Sequence, residues 1–267
     1  MSAGVSRGIL ELARAGRISA TSAMTVAPDW SREAPALIEV ADRISVGLHL
    51  TLSEFGPLGP MPRFAPDGRF PLLRLTARSA LLGRLPRTEI AAEIARQLDA
   101  FEAAFGRPPD FVDGHQHAHT LPGVRGPLLS VLAARGLAGR VWLRDPFDTP
   151  GPILVRGGPV KKALVVAALS LGFGRQARRA GFSTNRGFAG FSSFRPGDDL
   201  RAIFPRFLAA PGPAHLIMCH PGHVEPGERL DGVAETRRQE LAYLASDDFA
   251  ALLDERGVKL VRSPENS

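Results

Sequence analysis

The chain has 267 residues, 44% of them hydrophobic, enough apolar material for a sizeable core in one large domain or two small ones. Its one cysteine, Cys219, excludes an internal disulfide and a cysteine-rich zinc site and suits a reducing, cytoplasmic setting. The net charge is +6, and all but three of the 33 basic residues are arginine. This is a compositional bias without zinc-finger or RNA-binding signatures, so nucleic acid is not an expected partner.

The N-terminal "MSAGVSRGILELARAG" carries charges inside its apolar pattern and does not read as a secretory signal. Over 5–15, Val5, Ile9, Leu12 and Ala13 share a helical face, and Gly16 can stop the helix. A small, β-branched strand is expected over 18–26, a helix over 32–42 and an apolar strand over 44–52 with His49 near its end. The Pro/Gly-rich stretch 56–73 reads as a long loop, a candidate lid or binding loop. The clearest helix is 88–106, with Thr88 as N-cap and Gly106 just past its end.

"DFVDGH" then predicts a strand, followed by a helix over about 124–135 and the strand "RVWLR" (140–144). The longest apolar run, "ALVVAALSLGFG" (163–174), is shorter than the ~20 residues of a membrane span and reads as a buried helix. "GRQARRAGFSTNR" (174–186) is basic without an acid; a solvated surface is the expectation, a phosphate or anionic membrane contact the alternative. A strand near 188–192 and a helix over 198–208 interrupted at Pro205 come next, then the buried strand "AHLIMCH" (214–220). Helices over 234–245 and 247–255 precede a last strand, "VKLVR" (258–262).

Strand and helix alternate throughout, the pattern of a parallel sheet wrapped by helices. No linker divides the chain, so 1–267 is read as a single domain. The expected fold class is α/β.

His49, His115 and His220 each close an apolar run. In parallel α/β folds those strand ends share one face, which carries the active site. "FVDGHQHAHT" (111–120) places Asp113, His115 and His117 two apart, so all three would share a face if the strand ran on that far. Imidazoles beside a carboxylate make a metal site or a proton-transfer site. His49 and His115 would supply two ligands to zinc or another divalent ion, and a third ligand should be a carboxylate. Arg144 and Asp145 in "LRDP" end another strand; they would touch substrate or form an ion pair. His117, His119 and His223 would line the site or face solvent, and His215 starts its strand on the opposite face.

"VGLHLTL", "FVDGHQHAHTLPGV" and "IMCHPGH", in that order, resemble the YdjC/ChbG family of carbohydrate deacetylases, and the likeness runs from about Ser2 to Val261. The resemblance implies an incomplete or distorted (β/α) barrel and removal of acetyl groups from N-acetylated amino sugars with a divalent metal, magnesium or zinc. It includes a branch associated with hopanoid lipid biosynthesis, hence a chito-oligosaccharide-like or lipid-linked acetylglucosamine substrate. Carried across, His49 and His115 match the metal histidines, His220 the histidine of the "HP" motif near the catalytic centre, and Asp113 the aspartate in a support or catalytic role. Arg144, Asp145 and His117 are the substrate-binding candidates.

The family motif "ADDFG", with a metal-binding aspartate and its neighbouring base, would stand just before Ser2, and the sequence begins at "MSAGVS". A chain starting late is the expectation, and loss of catalysis the alternative. A sugar-binding homologue without activity and a phosphoesterase on a similar barrel are the rival functions. A homo-oligomer is open, and no transmembrane segment is expected.

Overall fold

The structure, a computed structural model, describes residues 2–225 and 233–264. Its elements are α1 (Ala3–Arg14), β1 (Ala20–Ala23), α2 (Trp30–Ile38), β2 (Ser45–Leu50), α3 (Leu73–Leu81), α4 (Arg87–Phe105), β3 (Phe111–Gly114), α5 (Arg125–Ala134) and β4 (Trp142–Leu143). They continue as α6 (Pro150–Arg156), α7 (Val160–Ser170), α8 (Phe173–Arg179), β5 (Phe188–Ala189), α9 (Leu200–Phe207), β6 (Leu216–Ile217), α10 (Ala234–Ala245) and α11 (Asp247–Glu255). β1 to β4 form a parallel sheet in chain order, β5 and β6 a second parallel pair, and a bridge from Leu143 to Thr184 links the two. The α/β fold of mainly parallel strands is therefore as expected, and among the described residues no ladder joins the edge strands β1 and β6.

Helices cover the sheet, so β2 is buried along its length except at His49. Close packing is sequence-specific: a Cβ on Gly47 would stand 2.6 Å from the Phe111 ring, which itself stacks on Trp142 at 4.2 Å. α4 turns Ile90, Ile94, Leu98 and Phe101 into the core, each burial stabilising by about 1.5–3 kcal/mol. Gly106 ends that helix with a left-handed φ of 80°, its N–H donating to the Glu102 carbonyl. At the other end Pro86, not Thr88, holds the cap position.

Other departures have physical reasons. α3, α6 and α8 were not legible as helices, because short helices with few capping side chains carry weak periodic signals. Pro205 lies inside α9 without ending it: in an eight-residue helix it forgoes a single backbone donor. The strand expected over 214–220 shrinks to β6, and residues 258–262 join no ladder among the described residues. Arg262 is tied down instead, its guanidinium donating to the carbonyls of Ala41 and Asp42 at 2.8 and 2.9 Å. The apolar run around 163–172, expected to be core, is only part buried: α7 buries Ala163, Ala167 and Ser170, packs Val166 and Leu169 partly against the core, and leaves Leu164, Val165 and Leu171 exposed.

Candidate active site

β2 and β3 run in register with His49 opposite Asp113. Paired residues on parallel strands share a face, so the two side chains meet: His49 Nδ1 lies 2.7 Å from Asp113 Oδ1. Ser22 Oγ, one strand over on β1, is 3.2 Å from the same nitrogen. The second Asp113 oxygen receives Arg144 Nη1 at 2.5 Å, and Arg144 Nη2 donates to the Gly114 carbonyl at 2.6 Å. Asp113 and Arg144 are only 3% and 5% exposed. Burial alone would raise the Asp113 pKa, but Arg144 and His49 outweigh it and hold the carboxyl well below the usual carboxylate range. An ionised carboxylate at Nδ1 makes that nitrogen the donor and leaves Nε2 available to the cavity.

The alternation expected to continue through His115 and His117 stops at Gly114. Residues His115–Thr120 form a 3-10 turn in which Gln116 (φ 50°) and His117 (φ 61°) are left-handed. Such conformations cost roughly 1–3 kcal/mol each and need surrounding structure to hold them. Here Ser53 Oγ donates to the Gln116 amide oxygen at 2.9 Å, and the Gln116 amide donates to Glu54 at 2.8 Å. The other Glu54 oxygen lies 3.0 Å from His115 Nε2. Glu54 was missed in the sequence; an acid five residues beyond His49, just past a strand end, was the signal.

The turn sends its histidines to three places. His115 stands beside His49, ring centroids 5.6 Å apart. His117 packs edge-on against Phe188 and Phe191. His119 is fully buried and donates from Nε2 to the Arg144 carbonyl at 2.7 Å, a structural role. Gly114 makes room for it, since a Cβ there would stand 2.6 Å from His119 Nδ1. Burial, then His49, lowers the His115 pKa; burial, then Arg144, lowers that of His117 and takes His119 down to about 3.

His220 follows β6 and lines the same cavity. Its ring sits edge-on to Phe194 at 5.2 Å, with Nδ1 buried and unpartnered. Burial first, then Arg237 and the more distant His49, Arg144 and Lys162, takes its pKa down to about 3, so the ring is neutral at pH 7. Its backbone N–H donates to Glu240, whose own pKa burial pushes up to about 7. His215 is pinned by the Phe207 carbonyl at 2.9 Å, and His223 pairs with Glu11.

Arg144 and Asp145 part company. Arg144 lines the cavity, whereas Asp145 accepts from the N–H groups of Phe147 and Gly174 at the start of α8 and lies outside the cavity lining. Burial raises its pKa to about 6. Its surroundings are those of a structural cap.

The cavity holding His49, Asp113, His115, His117, Arg144 and His220 measures about 2730 Å³, well above the ~300–1,000 Å³ of a typical ligand pocket. Its lining also takes in Ile18, Ala20 and Ser22 at the edge strand β1 and, from the C-terminal part of the chain, Ile217, Cys219 and Val261. On the far side of β2, α4 fixes the chain beyond His49. Gln97 accepts from the Thr51 N–H at 3.0 Å and donates to the Thr51 carbonyl at 2.8 Å, and Glu93 accepts from the Leu58 N–H at 3.0 Å. Both side chains are fully buried.

A catalytic metal ordinarily takes three protein ligands. The His49–Asp113 contact is the support such a ligand has elsewhere, and His115 stands next to it. Among the described residues, however, no three His, Cys, Asp or Glu side chains are grouped to hold a metal ion. Two imidazoles do not complete the set.

The profile of the YdjC-like protein family matches residues 1–255. A chitooligosaccharide deacetylase of Escherichia fergusonii is 28% identical over 97% of this chain and 92% of its own. Those of Enterobacter sp. (strain 638) and Salmonella heidelberg (strain SL476) are 30% and 31% identical with the same coverage. A crystal structure from Enterococcus faecalis V583, provisionally named a cellobiose-phosphate cleavage protein, superposes with a TM-score of 0.68 at 20% identity over 99% of this chain and 94% of that one, a likeness of fold.

Proposed function

The chain belongs to the YdjC-like family, and on that premise we propose that it is a carbohydrate N-deacetylase acting on an acetylated amino sugar. The observation that carries the reading is a neutral His220 with an unshared ring nitrogen in the same cavity as the His49–Asp113 pair.

Amide hydrolysis needs a proton taken from water and a proton given to the departing nitrogen. His220 is unprotonated at pH 7, so before it can give a proton to the sugar nitrogen it must take one, and in this proposal the donor is the attacking water. His220 takes a proton from the attacking water as the oxygen bonds to the acetyl carbon. It returns that proton to the sugar nitrogen as the carbon–nitrogen bond breaks, giving acetate and a free amine. Arg144 brings positive potential to the side where the carbonyl oxygen becomes anionic. Asp113 holds His49 in one tautomer and orientation, and His115 and His117 face the sugar.

A divalent ion, magnesium or zinc, enters this proposal only with His49 and His115 as two of its ligands. A strand ending in "ADDFG" ahead of Ser2 would bring the carboxylates that the resemblance calls for, and a cavity of about 2730 Å³ lined in part by β1 supports room for it. The whole chain is taken as one domain, and one cysteine in 267 residues supports a cytoplasmic setting.

The test is acetate release from N-acetylated chito-oligosaccharides and from a lipid-linked acetylglucosamine, with magnesium, zinc or chelator, by this chain and by one carrying that strand. Release that falls at least a hundredfold in His220→Ala, in line with loss of a general acid–base group, supports the proposal. Release untouched by that substitution removes His220 from the mechanism. Silence from both forms, with sugar still bound, points to a binding protein, and hydrolysis of phosphate esters instead points to a phosphoesterase.

A further inference from the structure

Two helices at the mouth of the cavity are built inside out. α3 packs inward through Leu73, Thr76, Ala77 and Ala80. Outside, Leu72 just before the helix, Leu75 within it and Leu82 just past its end are 49%, 47% and 52% exposed. α7 turns Ala163, Ala167 and Ser170 inward with Val166 and Leu169 partly buried beside them, while Val165 and, just past its end, Leu171 are 52% and 63% exposed. A fold gains about 1.5–3 kcal/mol from burying each large aliphatic, so leaving Leu75, Leu82, Val165 and Leu171 in solvent does nothing for folding. Leu72 and Val165 both line the cavity, and α3 and α7 each pack against the His115–Thr120 turn.

Within the two stretches of chain that carry these residues the charge has one sign, and Glu54, which also lines the cavity, is bonded to His115 and Gln116. Between Asp67 and Glu89 the chain has five arginines and no acid; between Asp148 and Asp198 it has no acid either. Arg74, Arg78, Lys161, Lys162 and Arg175 are exposed among or next to the aliphatics. Exposed apolar rows flanked by cations are the character of a helix that lies in the headgroup layer of an anionic bilayer. A second copy of the same face would bring cation against cation. No helix among the described residues is long and apolar enough to cross a membrane, so the contact is with the surface.

We infer that the α3 and α7 rims of the cavity form a docking surface for an anionic lipid bilayer, with the cavity opening onto it. The contact brings the cavity to the headgroup layer, where a membrane-borne substrate presents its polar end. The inference does not depend on the deacetylase reading, because its test reads binding alone.

The full chain would be floated with vesicles of phosphatidylcholine, pure or mixed with phosphatidylglycerol. Binding to the mixed vesicles is expected, together with its loss as salt rises from about 0.1 to about 1 M. Leu75→Ser with Leu82→Ser should weaken binding at least tenfold, as should Val165→Ser with Leu171→Ser, with circular dichroism melting unchanged. Arg74→Ala and Arg78→Ala should each cost about fivefold. Absence of flotation, or flotation indifferent to the leucine substitutions, overturns the inference. So does a dimer in sedimentation equilibrium that the same substitutions dissociate, since the face would then belong to a second copy.

Discussion

Replacing Asp113 by Asn removes one charge and almost no volume from the centre of the site. The charge left behind is Arg144, 5% exposed and 2.5 Å from the lost oxygen. Taking away one member of a buried pair typically costs about 3–5 kcal/mol, because the other stays desolvated and unpaired. For a chain of this length each kcal/mol lowers the melting temperature by about 2–4 °C, so Asp113→Asn is expected to melt roughly 6–20 °C below the parent at pH 7. Adding Arg144→Met takes away the stranded charge and should recover part of the loss, which a double-mutant cycle measures. Acid provides a second reading. The folded state holds Asp113 below its ordinary range, so in acid the unfolded chain binds more protons and stability falls as pH drops below about 4. The Asn variant should lack that share of the acid limb. Calorimetry and urea titration of the parent, both single variants and the pair decide it. An Asp113→Asn protein within about 1 kcal/mol of the parent, or a double variant weaker than Asp113→Asn alone, refutes the account of a buried, mutually dependent pair.

Glu240 titrates in the opposite sense: its pKa is raised to about 7, so the folded state holds the proton longer than the unfolded one. Its share of the stability should therefore be lost as pH rises from about 4.5 to about 7. Glu240→Gln keeps an acceptor for the His220 N–H, and because the buried histidines and Asp145 titrate alike in both proteins, the variant's stability relative to the parent should climb across that window, by up to roughly 3 kcal/mol at pH 8; a difference that does not change with pH refutes the assignment. Gly114→Ala, in extended backbone, forces a methyl toward the fully buried His119, with an expected cost of about 1–3 kcal/mol in urea. His119→Ala should relieve most of it, and an unchanged penalty in the double variant refutes the steric cause.

Much of this was legible in the sequence because strand ends in a parallel fold have a fixed geometry. His49, Asp113, His115 and His220 were picked out by position alone, and all four line one cavity. The failures share another origin. "DGHQHAH" reads as alternation, but Ser53 and Glu54, more than fifty residues earlier, bind Gln116 and turn the chain. Asp145 follows a strand end exactly as Arg144 does, yet α8, whose start was not legible, claims it as a cap. α7 looked like core because hydropathy records which residues are apolar and not which way the small ones face.

The Gln97 and Glu93 bonds to Thr51 and Leu58 give the mouth of the site a particular clock. These two amides are tied to α4, the longest helix among the described residues, so their hydrogens should exchange more slowly than those of the loop around them. The segment between them, which carries Glu54, is no swinging flap despite its place at the start of a long proline-rich connection. Its order is established during folding, so a ligand that meets Glu54 and His115 has little chain left to immobilise, and the entropy of association is correspondingly less adverse.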